Sequence, residues 1–147
     1  MTQESEGPFL KYAVFCRDSC ETDAGELTLN GIVDLLDLPK PEDSSESESP
    51  ILTTIDYNLA FRIGGADPVD HHLFVTLKTP GIPLETPPAQ KVEWEEGILF
   101  QRWIQTFRIP VQKPGIHSAA ILFDGIPLGE ATFLVRFTDD GKTAETN

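Results

Sequence analysis

Between Ile51 and Ile63 the chain alternates strictly: Ile51, Thr53, Ile55, Tyr57, Leu59, Phe61 and Ile63 are interleaved with Thr54, Asp56, Asn58 and Arg62. A period of two predicts a strand with one face on a core and the other in water, and the β-branched and aromatic content agrees. The same alternation recurs in Leu73, Val75 and Leu77 against His72, Thr76 and Lys78, and in Ala131, Phe133, Val135 and Phe137 against Glu130, Thr132 and Arg136. Four further strands are expected. Leu10 to Cys16 alternates; Leu27 and Leu29 follow the turn-like Asp23 to Gly25 and lead into the run Ile32 to Leu38, where Gly31 suggests a bulge. Ile116 to Phe123 is apolar on both faces, which suits a central strand. Ile98 to Ile109 also fits a helical stripe through Leu99, Trp103 and Phe107, but Gly97 before it, Pro110 after it and the strands around it favour a strand.

The punctuation falls between these runs, at Gly64-Gly65, Pro80-Gly81, Pro114-Gly115 and Asp124-Gly125. Seven to eight short strands, turn residues between them and no convincing helix predict an all-β fold, an antiparallel, two-sheet, immunoglobulin-like β-sandwich. One domain over residues 9–137 is expected, after a flexible N-terminus over 1–8 and before a flexible acidic tail over 138–147. Two long loops interrupt it. The first, 39–50, is acidic and Ser-rich; the second, 79–96, is stiffened by Pro80, Pro83, Pro87 and Pro88.

Composition narrows the partners. Eleven Lys plus Arg stand against 24 Asp plus Glu in 147 residues, a net charge of −13. Such a field repels phosphate backbones, so neither nucleic acid nor an anionic membrane surface is expected as a partner. No apolar run approaches the roughly 20 residues that span a bilayer. Glu4 and Glu6 stand where a secretory signal needs basic residues, so a cytoplasmic location is expected. Cys16 and Cys20, if extended between, lie ~13 Å apart, beyond the ~7 Å bridging limit, and are expected as reduced thiols.

Candidate chemistry is sparse. No G-x-S-x-G is present, and Gly141-Lys142-Thr143 lacks the earlier glycine of a phosphate loop, with Arg136 in its place. Cys16 and Cys20 with His71 and His72 could be assembled into a zinc set, but adjacent strand histidines face opposite ways. Cys16 reads better as a small core residue, Cys20 as a loop residue and His72 as a solvent-side residue; His117 needs no special account. Trp103 reads as core and Trp94, between Glu93 and Glu95, as a surface residue.

Acidic loops are the more serious case. If alternate loops share an end, Asp18, Glu21, Asp23, Asp67, Asp70, Asp139 and Asp140 gather at one end, and Glu42, Asp43, Glu46, Glu48, Glu85 and Asp124 at the other. Calcium takes six to eight such oxygens, and Asp18, Asp23, Asp67 and Asp70 are the candidate ligands; without a dense Asp spacing, solvated turn chemistry is the favoured reading. Ser44, Ser45 and Ser47 sit among acids, which could suit an acid-directed kinase, although a solubilising linker is the favoured reading.

Two stretches resemble a family of small uncharacterised bacterial proteins, a domain of unknown function. One is Tyr12 to Pro39, with Gly25, Leu27, Leu29, Gly31, Ile32 and Asp34; the other is the closing hairpin with Pro114-Gly115, Asp124-Gly125 and Leu128-Gly129-Glu130. The resemblance covers about half the chain and implies a β-sandwich with no catalytic residue to carry over. The expected function is therefore non-enzymatic: no catalytic, cofactor or metal residue is assigned, and open sheet edges invite a protein partner or a second copy of the chain. A calcium-dependent binding module is the alternative.

Overall fold

A computed structural model describes residues 7–40, 53–83 and 87–138. The period-two segments all become strands, and nine are present among the described residues: β1 (Phe9–Glu21), β2 (Leu27–Ile32), β3 (Leu35–Pro39), β4 (Thr53–Gly64), β5 (Asp70–Lys78), β6 (Gln90–Glu93), β7 (Phe100–Val111), β8 (Gly115–Phe123) and β9 (Ile126–Thr138). They form two sheets, one ordered β2-β1-β4-β7 and the other β3-β9-β8-β5-β6. No helix among the described residues is long and apolar enough to cross a membrane.

On β4, β5, β8 and β9 the inward residues are those the alternation named, but on β1 the register shift between Leu10 and Tyr12 flips the later residues, so that Phe15 turns inward and Cys16, expected in the core, turns outward. Tyr57, Leu59, Phe61 and Ile63 of β4 and Phe15 of β1 meet Leu73, Val75, Ala119, Ile121, Phe123, Phe133 and Val135 of the other sheet in one core. Phe133 stands edge-on to both Phe15 and Tyr57, with centroids 5.1 and 5.3 Å apart, and Trp103 stacks on Phe61 at 5.2 Å. The ambiguous 98–109 segment is strand β7, paired with β4 from Thr53↔Val111 to Gly64↔Phe100.

Three expectations are corrected. Pairing is not purely antiparallel, and the strands exceed seven to eight, because the run Ile32 to Leu38 divides: β2 stays on β1 while β3 lies parallel to β9. The chain changes sheets at Val33-Asp34, where Val33 is buried and donates its N–H to the Phe15 carbonyl, and the Asp34 carbonyl accepts from Leu134. The 79–96 connection is not all loop, since β6 pairs with β5 and buries Val92. Gly31 makes no bulge. Its φ of +71° turns the chain while the β1–β2 register continues unshifted from Asp18↔Asn30 to Cys16↔Ile32. Register shifts fall instead between Leu10 and Tyr12 and between Ile121 and Leu122.

β1 also runs past its expected end and bends back. Cys16 and Ala60 point away from the core on the outer face of the first sheet, yet both are fully buried. Tyr12, Arg62 and Arg102 occupy one row across that sheet, and Glu21 would lie ~30 Å beyond it if β1 were straight. Instead the Glu21 carboxylate lies 3.0 Å from the Arg102 guanidinium. A reversal near Arg17 returns the four residues 18–21 over that row. The β1–β2 hairpin is thus a lid on the outer face, with Ser19, Leu27 and Leu29 half-buried on its inner side.

Candidate interaction surface

The outer face of the second sheet departs from the rule of polar residues outside. Because the inward positions of β8 are odd-numbered, its outward ones are Ile116, Ser118, Ala120 and Leu122. The register extends this apolar character sideways: Leu35, Leu134 and Ile116 form one row, and Phe74 lies opposite Leu122. Ile116 is 59% exposed and Leu35 44%. The strand expected to be central is central in its sheet. Its second face is open among the described residues, so its outward apolar pattern marks a surface rather than core.

Side-chain size shapes that surface. Thr76, Ser118 and Ala120 are small, and over them lies an open depression of about 490 Å³. Phe74 and Leu122 wall one end, while Lys78 and Glu130 stand at its rim. Charge on this face nearly cancels. Arg136 holds Asp37 through two hydrogen bonds of 2.9 and 3.2 Å, which lower the Asp37 pKa, and Lys91 lies 3.4 Å from Asp70. Lys78, Glu93 and Glu130 remain on the strand positions, a balance of −1 on a chain of −13.

A second cleft, about 320 Å³, opens between the sheets beside Val75, Leu77, Phe107 and Pro110, and is roofed by Ile82, Pro83 and Pro87 of the Pro-rich connection. Among the described residues its lining carries no ionisable side chain. β7 bounds it, and this 12-residue strand pairs only with β4, which leaves its other edge open among the described residues.

The most tightly knit polar cluster among the described residues is a corner rather than a cleft. Asp124 and Gly125, with φ of 54° and 81°, make the two-residue turn that joins β8 to β9. Asp124 donates its N–H to the His72 carbonyl, accepts the His72 N–H, and takes a 2.6 Å bond from His71 Nδ1. His71 Nε2 lies 2.9 Å from the Asp67 carbonyl. A carbonyl and a carboxylate only accept, so the arrangement is complete when both ring nitrogens are protonated. Burial opposes that charge, but the bonds to Asp124 and Asp67 outweigh it and raise the His71 pKa. For Asp124 burial also opposes the charged form and pulls the pKa upward, yet the bonds from His71 and His72 prevail and lower it. Trp94 and Phe123 pack on the imidazole, at 6.3 and 4.7 Å. Both nitrogens are occupied and the ring is 6% exposed, so the cluster ties three segments together without offering a free base.

The other sequence candidates disperse. The expectation that Asp124 sits at the end opposite Asp67 is wrong, since His71 binds both. Of the calcium candidates, Asp18 accepts the Ser19 N–H, Asp70 faces Lys91 and Asp67 serves through its backbone, and no group of three metal-holding residues occurs among the described residues. Cys16 is buried, and burial raises its pKa; Cys20 lies on β1 rather than in a loop, and both thiols are free. Trp94 is not a surface residue. It is 3% exposed, with its indole N–H bonded to the Ile98 carbonyl, because β6 turns Val92 and Trp94 inward together. His72 is exposed as expected, and His117 is wholly buried on Phe133. Ser44, Ser45, Ser47, Glu42, Asp43, Glu46, Glu48, Glu85, Asp139, Asp140 and Gly141 to Thr143 lie outside the described residues. The sequence signal for the apolar face was present in β8, but alternation alone does not say which of two apolar faces meets water.

No family model and no curated protein matches the chain. Among solved structures it is similar to the alkylpurine DNA glycosylase AlkC of Pseudomonas fluorescens bound to DNA containing an abasic site analog, at 15% identity and a TM-score of 0.47, over 90% of this chain and 31% of that one. It is also similar to a β-glucosidase from Listeria innocua in complex with glucose, at 13% identity and a TM-score of 0.45, over 87% of this chain and 17% of that one. The chain spans less than a third of either protein.

Proposed function

We propose that this protein is a non-enzymatic contact module of the cytoplasm that works by binding protein through the outer face of its second sheet. The observation that carries the reading is the apolar, indented and nearly charge-balanced surface formed by Phe74, Thr76, Ser118, Ala120 and Leu122, on a chain whose net charge is −13. A solvated sheet face has no need of those residues, whereas interface cores are enriched in aromatic groups and depleted of charge. The open edge of β7 is a second place where a partner strand can add. The fold is read as immunoglobulin-like: β1, β4 and β7 take the places of strands A, B and E, while β9, β8, β5 and β6 take those of G, F, C and C′.

The test is a pull-down from native lysate with the wild-type chain and the Ala120→Arg variant, each with calcium and with chelator. A partner retained in both metal conditions and lost with the variant supports the reading. A partner captured equally by both chains, or turnover of a small molecule by the purified protein, overturns it.

A further inference from the structure

On the outer face of the second sheet a projection lies beside a hollow. Ile116 stands out of the face at 59% exposure, backed in its row by Leu134 and Leu35. Four residues further along β8, ~13 Å away, Ala120 marks the floor of the 490 Å³ depression, with Phe74 and Leu122 at its far end. A surface that carries a knob next to a hole is complementary to itself, because a two-fold axis crossing β8 between them brings the knob of one copy to the hole of the other, twice over. Charge permits the contact: the strand positions of this face balance to −1, so two copies can meet there without strong repulsion.

We propose that the occupant of this face is a second copy of the chain, in a two-fold dimer where Ile116 of each protomer enters the depression over Thr76, Ser118 and Ala120 of the other. The proposal rests on the contact-module reading and names its partner. Ile116 is an apolar anchor that becomes desolvated in a pocket, the kind of residue on which interface energy concentrates.

Analytical ultracentrifugation from about 1 µM to about 1 mM tests it. The wild-type chain is expected to pass from monomer to dimer across that range. Ile116→Asp removes the knob and Ala120→Arg fills the hole, and each is expected to raise the dissociation constant at least tenfold with an unchanged melting temperature. An equimolar mixture of the two variants is the decisive arm. One chain keeps its hole and the other its knob, so one of the two contacts is restored, and the mixture is expected to form more dimer than either variant alone. A wild-type chain that stays monomeric throughout, variants that dimerise like wild type, or a mixture no better than its components overturns the proposal. A monomeric wild type that still captures a foreign partner lost on Ala120→Arg overturns the dimer and leaves the contact-module reading standing.

Discussion

Glu21 pairs with Arg102 at 3.0 Å across a row of the sheet that lies nine residues away from it along β1. Only a hairpin laid back over the outer face can close that gap, and it explains why Cys16 and Ala60 are fully buried on a side that should meet water. The pair itself is weak, since Glu21 is 55% exposed, and pairs of this kind contribute about 0.2–1 kcal/mol.

Thiol labelling reads that placement. Cys20 is exposed and Cys16 is buried, with its pKa raised by burial, so one thiol per chain is expected to react quickly and the second only on opening. Glu21→Lys sets a cation against Arg102 and is expected to speed labelling of Cys16 severalfold, while the melting temperature changes little. Equal Cys16 rates in the two proteins would show that the pair does not hold the hairpin.

Gly64 reads in the sequence as half of a turn, but it is the last residue of β4, opposite Phe100. A Cβ there would lie 2.5 Å from the Phe100 ring and 3.0 Å from Phe9, two rings that meet edge to face at 6.1 Å. Gly64→Ala is expected to cost about 1–3 kcal/mol by overpacking, towards the lower end because Phe9 is 48% exposed and can move. In a Phe100→Ala background the same substitution should cost much less. Denaturant unfolding of the four proteins of that cycle measures the difference.

The legible parts of the fold were those that alternation or turn chemistry determines locally. β4, β5 and β9 follow from period two, and Asp124-Gly125 makes the turn its residue types require. The bend near Arg17 was not legible, because the apolar alternation stops at Cys16 and the cause is the outer face beneath the hairpin. The sheet change at Val33-Asp34 was hidden inside an apolar run that reads as one strand. The His71–Asp124 bond joins residues 53 apart, a distance over which periodicity carries no information. For the apolar face the sequence named the right residues on β8, but alternation cannot say which of their two sides meets the other sheet.

His117 offers a test of the core. It is wholly buried against Phe133, its Nδ1 bonds the Gly115 carbonyl at 3.1 Å, and its Nε2 has no partner among the described residues. Burial lowers its pKa, so protonation favours the unfolded chain and stability falls as pH drops through the unfolded value near 6.5. His117→Leu is expected to remain within about 1 kcal/mol of wild type at pH 7 and to lose less stability than wild type between pH 7 and pH 5. Melting curves at these pH values decide it; parallel losses in the two proteins would remove His117 as the source.

His71 and Asp124 act with the opposite sign. The His71 pKa is raised, so its contribution is fully present below about 6.5 and is lost as pH rises through the folded value. The Asp124 pKa is lowered, so its contribution is present above about 3.8 and is lost as pH falls through the folded value. Their pair therefore contributes most between about pH 4 and 6.5, falling away on either side. Asp124→Asn keeps the turn and the His72 contact but removes the charge. It is expected to cost about 1–3 kcal/mol near pH 5.5, with the lower part of that range favoured because the Asp124 side chain is 41% exposed. The deficit relative to wild type should shrink as pH rises above the folded His71 value. A constant deficit from pH 5 to pH 9 would mean that the Asp124 carboxylate contributes without any help from the imidazolium charge.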